Sequence, residues 1–201
     1  MVSKNKIFDA YFEVVIKSGF SDVLFGLEDE DGFQEILEKF KENWINGKNY
    51  SVFVKNLPAN LQSLETLKLF YEHHSEGLFD FIRYLQLIEK AKLTPYWEYV
   101  ESPEQTNPVY RALNGIIRKY NDPFWRIWFP PNQINCKARI KSYNEDMLRE
   151  ARLYAGSGIP TYRELIEHKR LDESAIPDDI DLDKEVRPEP GFDRLLFPLL
   201  R

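Results

Sequence analysis

"DPFWRIWFPPNQINCKARI" (residues 122–140) is the stretch whose reading decides the fold. Asp122 and Pro123 open it. Four aromatics, Phe124, Trp125, Trp128 and Phe129, follow within six positions. Pro130 and Pro131 come next, then Asn132, Asn135 and Cys136, the single cysteine of the chain, with Lys137 and Arg139 behind them. Such rings could stack on nucleic-acid bases, each worth about 1–3 kcal/mol. The preferred reading is a structural clamp, because aromatics dominate burial in small cores. The prolines fix an extended course, and Asn132 and Asn135 are placed to tie down loop amides through side-chain hydrogen bonds.

The rest of the composition bounds the class. A chain of 201 residues can bury a real core. Its 43% hydrophobic and 30% charged content describes an ordinary globular protein. With 14% aromatic residues and 9 glycines, it favours helices and packed aromatic clusters over a turn-rich sandwich. A net charge of -6 argues against a dedicated nucleic-acid coat and leaves only local patches for that purpose. One cysteine excludes an internal disulfide and a Cys-rich zinc site. No signal peptide and no membrane-length apolar run is visible, so a soluble protein made in the cytosol, with no membrane partner, is expected.

Upstream of the quoted stretch the chain reads helical. Ile7, Tyr11, Val14 and Val15 mark a face of an opening helix. Phe33, Ile36, Leu37, Phe40 and Trp44 form a helical stripe. Asp31 and Gln34 make a capping pair for it, and Asn46-Gly47 ends it. A longer helical region covers about 61 to 93, with a break expected near Gly77, after which Leu78, Phe81, Ile82, Leu85 and Ile88 form another stripe. Pro95 ends this half. "YWEYVES" (96–102), "IIRKY" (116–120) and "CKARIKSY" (136–143) alternate like strands. Asn107 and Pro108 start a short helix that Gly115 stops. Asn144 caps a helix running to about Ala155, "GSGIP" (156–160) is a hinge, and Thr161 with Glu164 forms a capping box.

From Asp172 to Pro190 the chain turns acidic and proline-punctuated, which reads as an extended arm. The apolar end "GFDRLLFPLL" suggests that this arm docks on something. Seven bases and one acid give Arg111–Lys141 a local net of +6; ten acids and four bases give Glu164–Glu189 a local net of -6. In one reading the arm lies over the basic region of the same molecule. The fold class expected is α+β, mainly helical. A helical docking region (1–94) precedes a small mixed α/β motif domain (95–160), then a short helix and an extended acidic C-terminal arm (161–201).

The block from Tyr96 to Ile140 resembles the signature of phage Mu F-like proteins, minor head or head-morphogenesis proteins of tailed phages and prophages. The family pattern runs through a Leu-Asp-Gly step, Asp-Pro-Phe-Trp, Tyr-Pro-Pro-Asn-Gly and a Cys-Arg-Cys-Arg box. Leu113, Asn114 and Gly115 match the first; Asp122, Pro123, Phe124 and Trp125 match the second outright; Phe129, Pro130, Pro131 and Asn132 match the third. Asn135, Cys136 and Arg139 fall at the box, and Gly191, Phe192 and Asp193 resemble the family's Gly-Phe-Asp close. Trp97 on the first strand completes the motif residues. Three positions depart: Tyr110 stands for the family's histidine, Ala138 for its second cysteine, and Gln133 for its glycine. Metal or histidine chemistry in this chain is thereby put in doubt.

No complete catalytic constellation is visible, and neither cofactor nor metal is expected. His73 and His74 sit between Glu72 and Glu76 on a helix, adjacent rather than one turn apart, which favours a solvated face over a metal site. His168 has no obvious partner. Cys136 reads as a buried thiol rather than a nucleophile. The resemblance implies a structural virion protein that contacts the phage portal or capsid protein, located in the virion and in the bacterial host cytoplasm during assembly. Arg118, Lys119, Arg126, Lys137, Arg139 and Lys141 are candidates for phosphate contacts with packaged DNA. The alternative is a nuclease or toxin-like effector carried by a phage, which would need an acid–base pair in a cleft.

Overall fold

The alternating segment Tyr96–Val100 is the central strand, β1, of a three-stranded antiparallel sheet. It pairs with β2 (Ile116–Lys119) on one side and β3 (Arg139–Tyr143) on the other. Trp97 lies opposite Arg118 and Ser142, and Tyr99 opposite Ile116 and Ile140. Period-two alternation therefore puts Trp97 and Tyr99 on one face with Ile116 and Ile140. Tyr96, Glu98, Ile117, Lys119, Lys141 and Tyr143 take the other.

The structure is a computed structural model that describes residues 3–17, 24–27, 31–188 and 192. The described chain is mainly helical, with this one small sheet, as an α+β class requires. It divides into two compact units, the first through Ile82 and the second from Arg83.

The first unit holds α1 (Lys4–Lys17), α2 (Phe33–Ile45), α3 (Tyr50–Lys55) and the start of α4 (Leu67–Lys90). Its core is aromatic. Phe40 packs on Phe12, Phe53 and Phe70 with ring centroids 5.5–5.9 Å apart. The buried face of α1 is Phe8, Tyr11, Phe12 and Val15, one position round from the face expected through Ile7 and Val14. The α2 stripe buries Ile36, Leu37, Phe40 and Trp44, with Phe33 half-buried at the helix start. Gly32 caps this helix in a left-handed conformation with no side-chain cap bond, so the Asp31–Gln34 pair does not form.

Two expectations for α4 fail together. The helix is continuous through Gly77. His73 and His74 are buried in the first unit's core, not solvated. Tyr11 Oη and His74 Nδ1 are hydrogen-bonded at 3.0 Å, and the His74 ring lies 4.6 Å from Phe70 and 5.0 Å from Phe12. Burial lowers the His73 pKa to about 4. Gly77 lies where a Cβ would overlap the Tyr11 hydroxyl, so its bare backbone admits the ring rather than breaking the helix. Past Ile82 the buried positions become Tyr84, Leu87 and Ala91, and Leu85 and Ile88 are half-buried.

The second unit contains the sheet, α5 (Pro108–Leu113), α6 (Trp125–Trp128), α7 (Glu145–Ala151) and α8 (Tyr162–Glu167). Three caps form where the sequence places them: Asn107 on α5 with Pro108 in the first turn, Asn144 on α7, and the Thr161–Glu164 box on α8. Helix α7 stops earlier than expected, at Ala151, where Arg152 turns left-handed (φ 55°). Beyond α8 the acidic segment returns to its own unit. The Val186 N–H donates to Pro160 O at 2.9 Å, Thr161 and Glu185 form an isolated bridge, and Val186 is fully buried.

Candidate functional site

The inner face of the sheet carries the clamp. Trp97 and Tyr99 project from β1 onto Phe124, Trp125 and Trp128, all five fully buried, with Phe129 beside them. Trp97 meets Trp125 edge-on at 5.6 Å and Phe129 at 5.8 Å; Tyr110 from α5 meets Trp128 at 5.2 Å. Edge-to-face geometry of this kind contributes about 0.5–1.5 kcal/mol per pair beyond area burial. None of Phe124, Trp125 and Trp128 presents a ring face on which a base could stack.

Within the aromatic shell runs a buried polar chain centred on Asn132. Its Nδ2 donates to Tyr99 Oη at 2.9 Å and to Trp128 O at 3.3 Å, and its Oδ1 lies 3.3 Å from Cys136 Sγ. Tyr110 Oη donates to Asn132 O at 3.0 Å. Tyr99 Oη passes the chain on to Glu101 Oε2 at 2.8 Å, and Glu101 Oε1 accepts from the Ser102 N–H. Burial is the main cause that raises the Tyr99 pKa well above the ordinary phenol value, so Tyr99 stays a neutral donor to the carboxylate. Asn132 thus ties side chains and a carbonyl together rather than loop amides. Trp128 Nε1 donates to Val186 O at 3.2 Å, which joins the acidic segment to the clamp.

The other motif positions are backbone fasteners. Asp122 accepts from the Phe124 N–H at 2.9 Å and from the Gly158 N–H at 3.0 Å, so it ties the hinge to α6. Gly115 (φ 78°) donates to Tyr99 O at 2.7 Å, and Leu113 is fully buried beside it. Asn114, at the same step, accepts from the Glu101 N–H. Pro130 and Pro131 are buried and joined by a cis peptide. Asn135 is exposed with φ 55°, and Cys136 is buried. Phe192 is buried, while Gly191 and Asp193 lie outside the described residues.

The six basic candidates are not brought to one surface. Lys119, Arg139 and Lys141 alternate onto the outer face of the sheet and are exposed. Lys119 lies over the Tyr96 ring and Lys141 over the Tyr143 ring. Arg118 points to the opposite face, half-buried, and Arg126 and Lys137 are exposed on α6 and the following loop. Among the described residues no group of His, Cys, Asp and Glu could hold a metal ion, and no helix is long and apolar enough to cross a membrane.

Sequence reasoning missed Tyr99 and Glu101 as members of the polar chain. Tyr99 carried a signal, since it shares the inward parity of Trp97 on the same strand. Glu101 carried none, because a single acid at a strand end is usually solvated. Cavities of about 770 Å³ beside α7 and about 440 Å³ beside α8 open on this unit, with Tyr154 on the wall of both.

The clamp residues from Trp97 to Cys136 lie within a stretch that matches a known family. The family model described as "Phage Mu protein F like protein" matches residues 34–141, more than half of the chain. "Putative capsid assembly protein F" of Escherichia phage Mu is 30% identical over 99 residues, covering 49% of this chain and 23% of that protein. "Mu-like prophage FluMu F protein" of Haemophilus influenzae is 36% identical over 64 residues, covering 31% of this chain and 16% of that one. The chain spans less than a quarter of the length of these curated relatives. No solved structure matches it. With a match that runs from α2 into β3 and takes in the whole aromatic clamp, the chain belongs to the phage Mu protein F like family.

Proposed function

We propose that this chain is a head-morphogenesis protein of a tailed phage or prophage. In this role it is a minor, capsid-associated component near the portal that acts in head assembly and in DNA packaging or ejection. Family membership supports this reading, as does the name of the phage Mu relative, "Putative capsid assembly protein F". The observation that carries it is the use to which the family motif is put. Trp97, Tyr110, Phe124, Trp125, Asn132 and Cys136 are buried in an aromatic and polar clamp, which supports a motif that builds a body rather than a reaction centre. The helical region 1–94 is the candidate for docking on portal or capsid protein. Packaged DNA would meet the outer face of the sheet, where Lys119, Lys141 and Arg139 are spread over the two edge strands; such contacts weaken steeply with salt. The particle, and the host cytoplasm during assembly, are where the protein would be found.

Quantitative mass spectrometry of purified particles tests the proposal. The expected result is this chain at a few to tens of copies per particle, retained after washing at high salt. Its complete absence from both particles and assembly intermediates would overturn it.

A further inference from the structure

The smaller cavity, about 440 Å³, lies between β2 and α8, and two guanidinium groups line it. Arg118 enters from β2. Its Nε donates to Gly158 O at 2.9 Å and its Nη1 to Ile117 O at 3.0 Å. Gly156 is the residue against which the head group rests, and a Cβ there would collide with Nη1, so the pose of this guanidinium is built into the backbone. Arg170 enters from beyond α8, where its Nη1 donates to Asn114 O at 2.9 Å and more weakly to Ala112 O. Each arginine is anchored by carbonyls at one edge and keeps unused N–H donors at the other.

Neither arginine makes an ion pair among the described residues. Among the described residues no carboxylate lies within ion-pair distance of Arg118 or Arg170. The two nearby acids are committed elsewhere. Asp122 accepts from the Gly158 and Phe124 N–H groups, and Glu164, although it lines the cavity, accepts from Thr161 in the capping box. Burial lowers the Arg118 pKa; the charge of Asp122 opposes the fall, the like charge of Arg170 adds to it, and Glu164 offsets part. A guanidinium stays charged under any such shift. Two cations are therefore held together in a partly enclosed space whose lining also includes His168 and one carboxylate, Glu164.

The walls argue for what fits. Ile116, Pro160 and Leu165 give the cavity an apolar floor, and Tyr154, 89% exposed, stands at its rim. An exposed tyrosine beside one half-buried arginine, Arg118, and one exposed arginine, Arg170, is the composition of a protein-contact hot spot. A space of about 440 Å³ admits a side chain but not a duplex.

We propose that this cavity binds an acidic peptide segment of a partner protein, with one side-chain carboxylate seated between Arg118 and Arg170 and the peptide crossing Tyr154. Planar carboxylate oxygens match the fork of guanidinium donors. The site stands on its own geometry and rests on the assembly role only for which protein supplies the carboxylate.

Titration of the full chain with blocked Leu-Asp-Leu tripeptide, followed by the Nε–Hε resonances of its arginines, tests the proposal. The Arg118 and Arg170 resonances should shift, the Leu-Asn-Leu peptide should bind about tenfold more weakly, and inorganic phosphate should bind less well than the acidic peptide. Arg170→Gln should cost about tenfold in affinity with unchanged thermal unfolding, since its side chain is exposed. Gly156→Ala, which displaces the Arg118 head group without removing its charge, should weaken binding in the same sense. Equal binding of the Asp and Asn peptides, an unaffected Arg170→Gln variant, or phosphate bound more tightly than the peptide would each overturn it. Because the peptide assay involves no particle, its failure and the failure of the assembly role are separate results.

Discussion

Gly77→Ala gives a test in which two physical effects disagree in sign. By helix propensity alone, replacing a glycine inside the 24-residue helix α4 stabilises by about 1 kcal/mol. The packing around Gly77 predicts the reverse. A methyl group there overlaps the hydroxyl and ring of Tyr11, which is 1% exposed and has no open space to move into. Overpacking of this kind costs about 1–3 kcal/mol. Displacing Tyr11 also breaks its hydrogen bond to His74 inside the core, a further loss of about 1–3 kcal/mol. Set against the propensity gain, the net is a destabilisation of about 1–5 kcal/mol. Urea unfolding followed by far-ultraviolet circular dichroism reads it directly. Repeating the substitution in a Tyr11→Phe background should shrink the loss, because the hydroxyl is gone; a coupling of about 1 kcal/mol or more is expected. A Gly77→Ala protein more stable than the parent, or one equally destabilised in both backgrounds, would refute the packing account.

Three other outcomes follow from the same structure. The folded His73 pKa of about 4 lies below the ordinary 6.5, so the unfolded chain takes up the proton first. Stability should fall as pH drops from about 6.5 to 4 and flatten below that, by about 3 kcal/mol in all. His73→Leu should remove that share of the slope, and identical pH profiles for variant and parent would exclude it. Trp125→Ala empties the centre of the clamp and should cost about 3–5 kcal/mol, enough to unfold the second unit at 37 °C; a variant with normal thermal unfolding would count against the clamp. Cys136→Ser keeps a donor toward Asn132 Oδ1 and should leave particle assembly intact; loss of assembly with folding unchanged would argue for chemistry at the thiol.

Local chemistry made much of the second unit legible. The alternation of Tyr96–Val100, the caps at Asn107 and Asn144 and the Thr161–Glu164 box are short-range patterns, and the structure reproduces them. The first unit was less legible because its decisive contacts are long-range. Leu78 and Phe81 continue backward at helical spacing to His74 and Phe70, and the stripe could have been followed to the buried histidines. Treating Gly77 as a break ended it too soon. Nothing local says that Tyr11, 63 residues earlier than His74, fills the space a side chain would need. The polar chain through Tyr99, Asn132 and Glu101 was half legible, for each residue invites a hydrogen bond but only the folded sheet brings them together.

The bond from Trp128 to Val186 O spans 58 residues and bears on how the protein is made. The three strands can pair as soon as Tyr143 has left the ribosome, yet the indole of Trp128 finds its acceptor only after Val186 has emerged. Until then the nascent unit is a sheet with an open seam, and the acidic stretch translated after it shuts it. A fragment cut at the end of the family match, at residue 141, would keep every signature residue up to that point and lose the stitch that finishes the body. Translation order, rather than the signature itself, would then set when the clamp becomes a folded part.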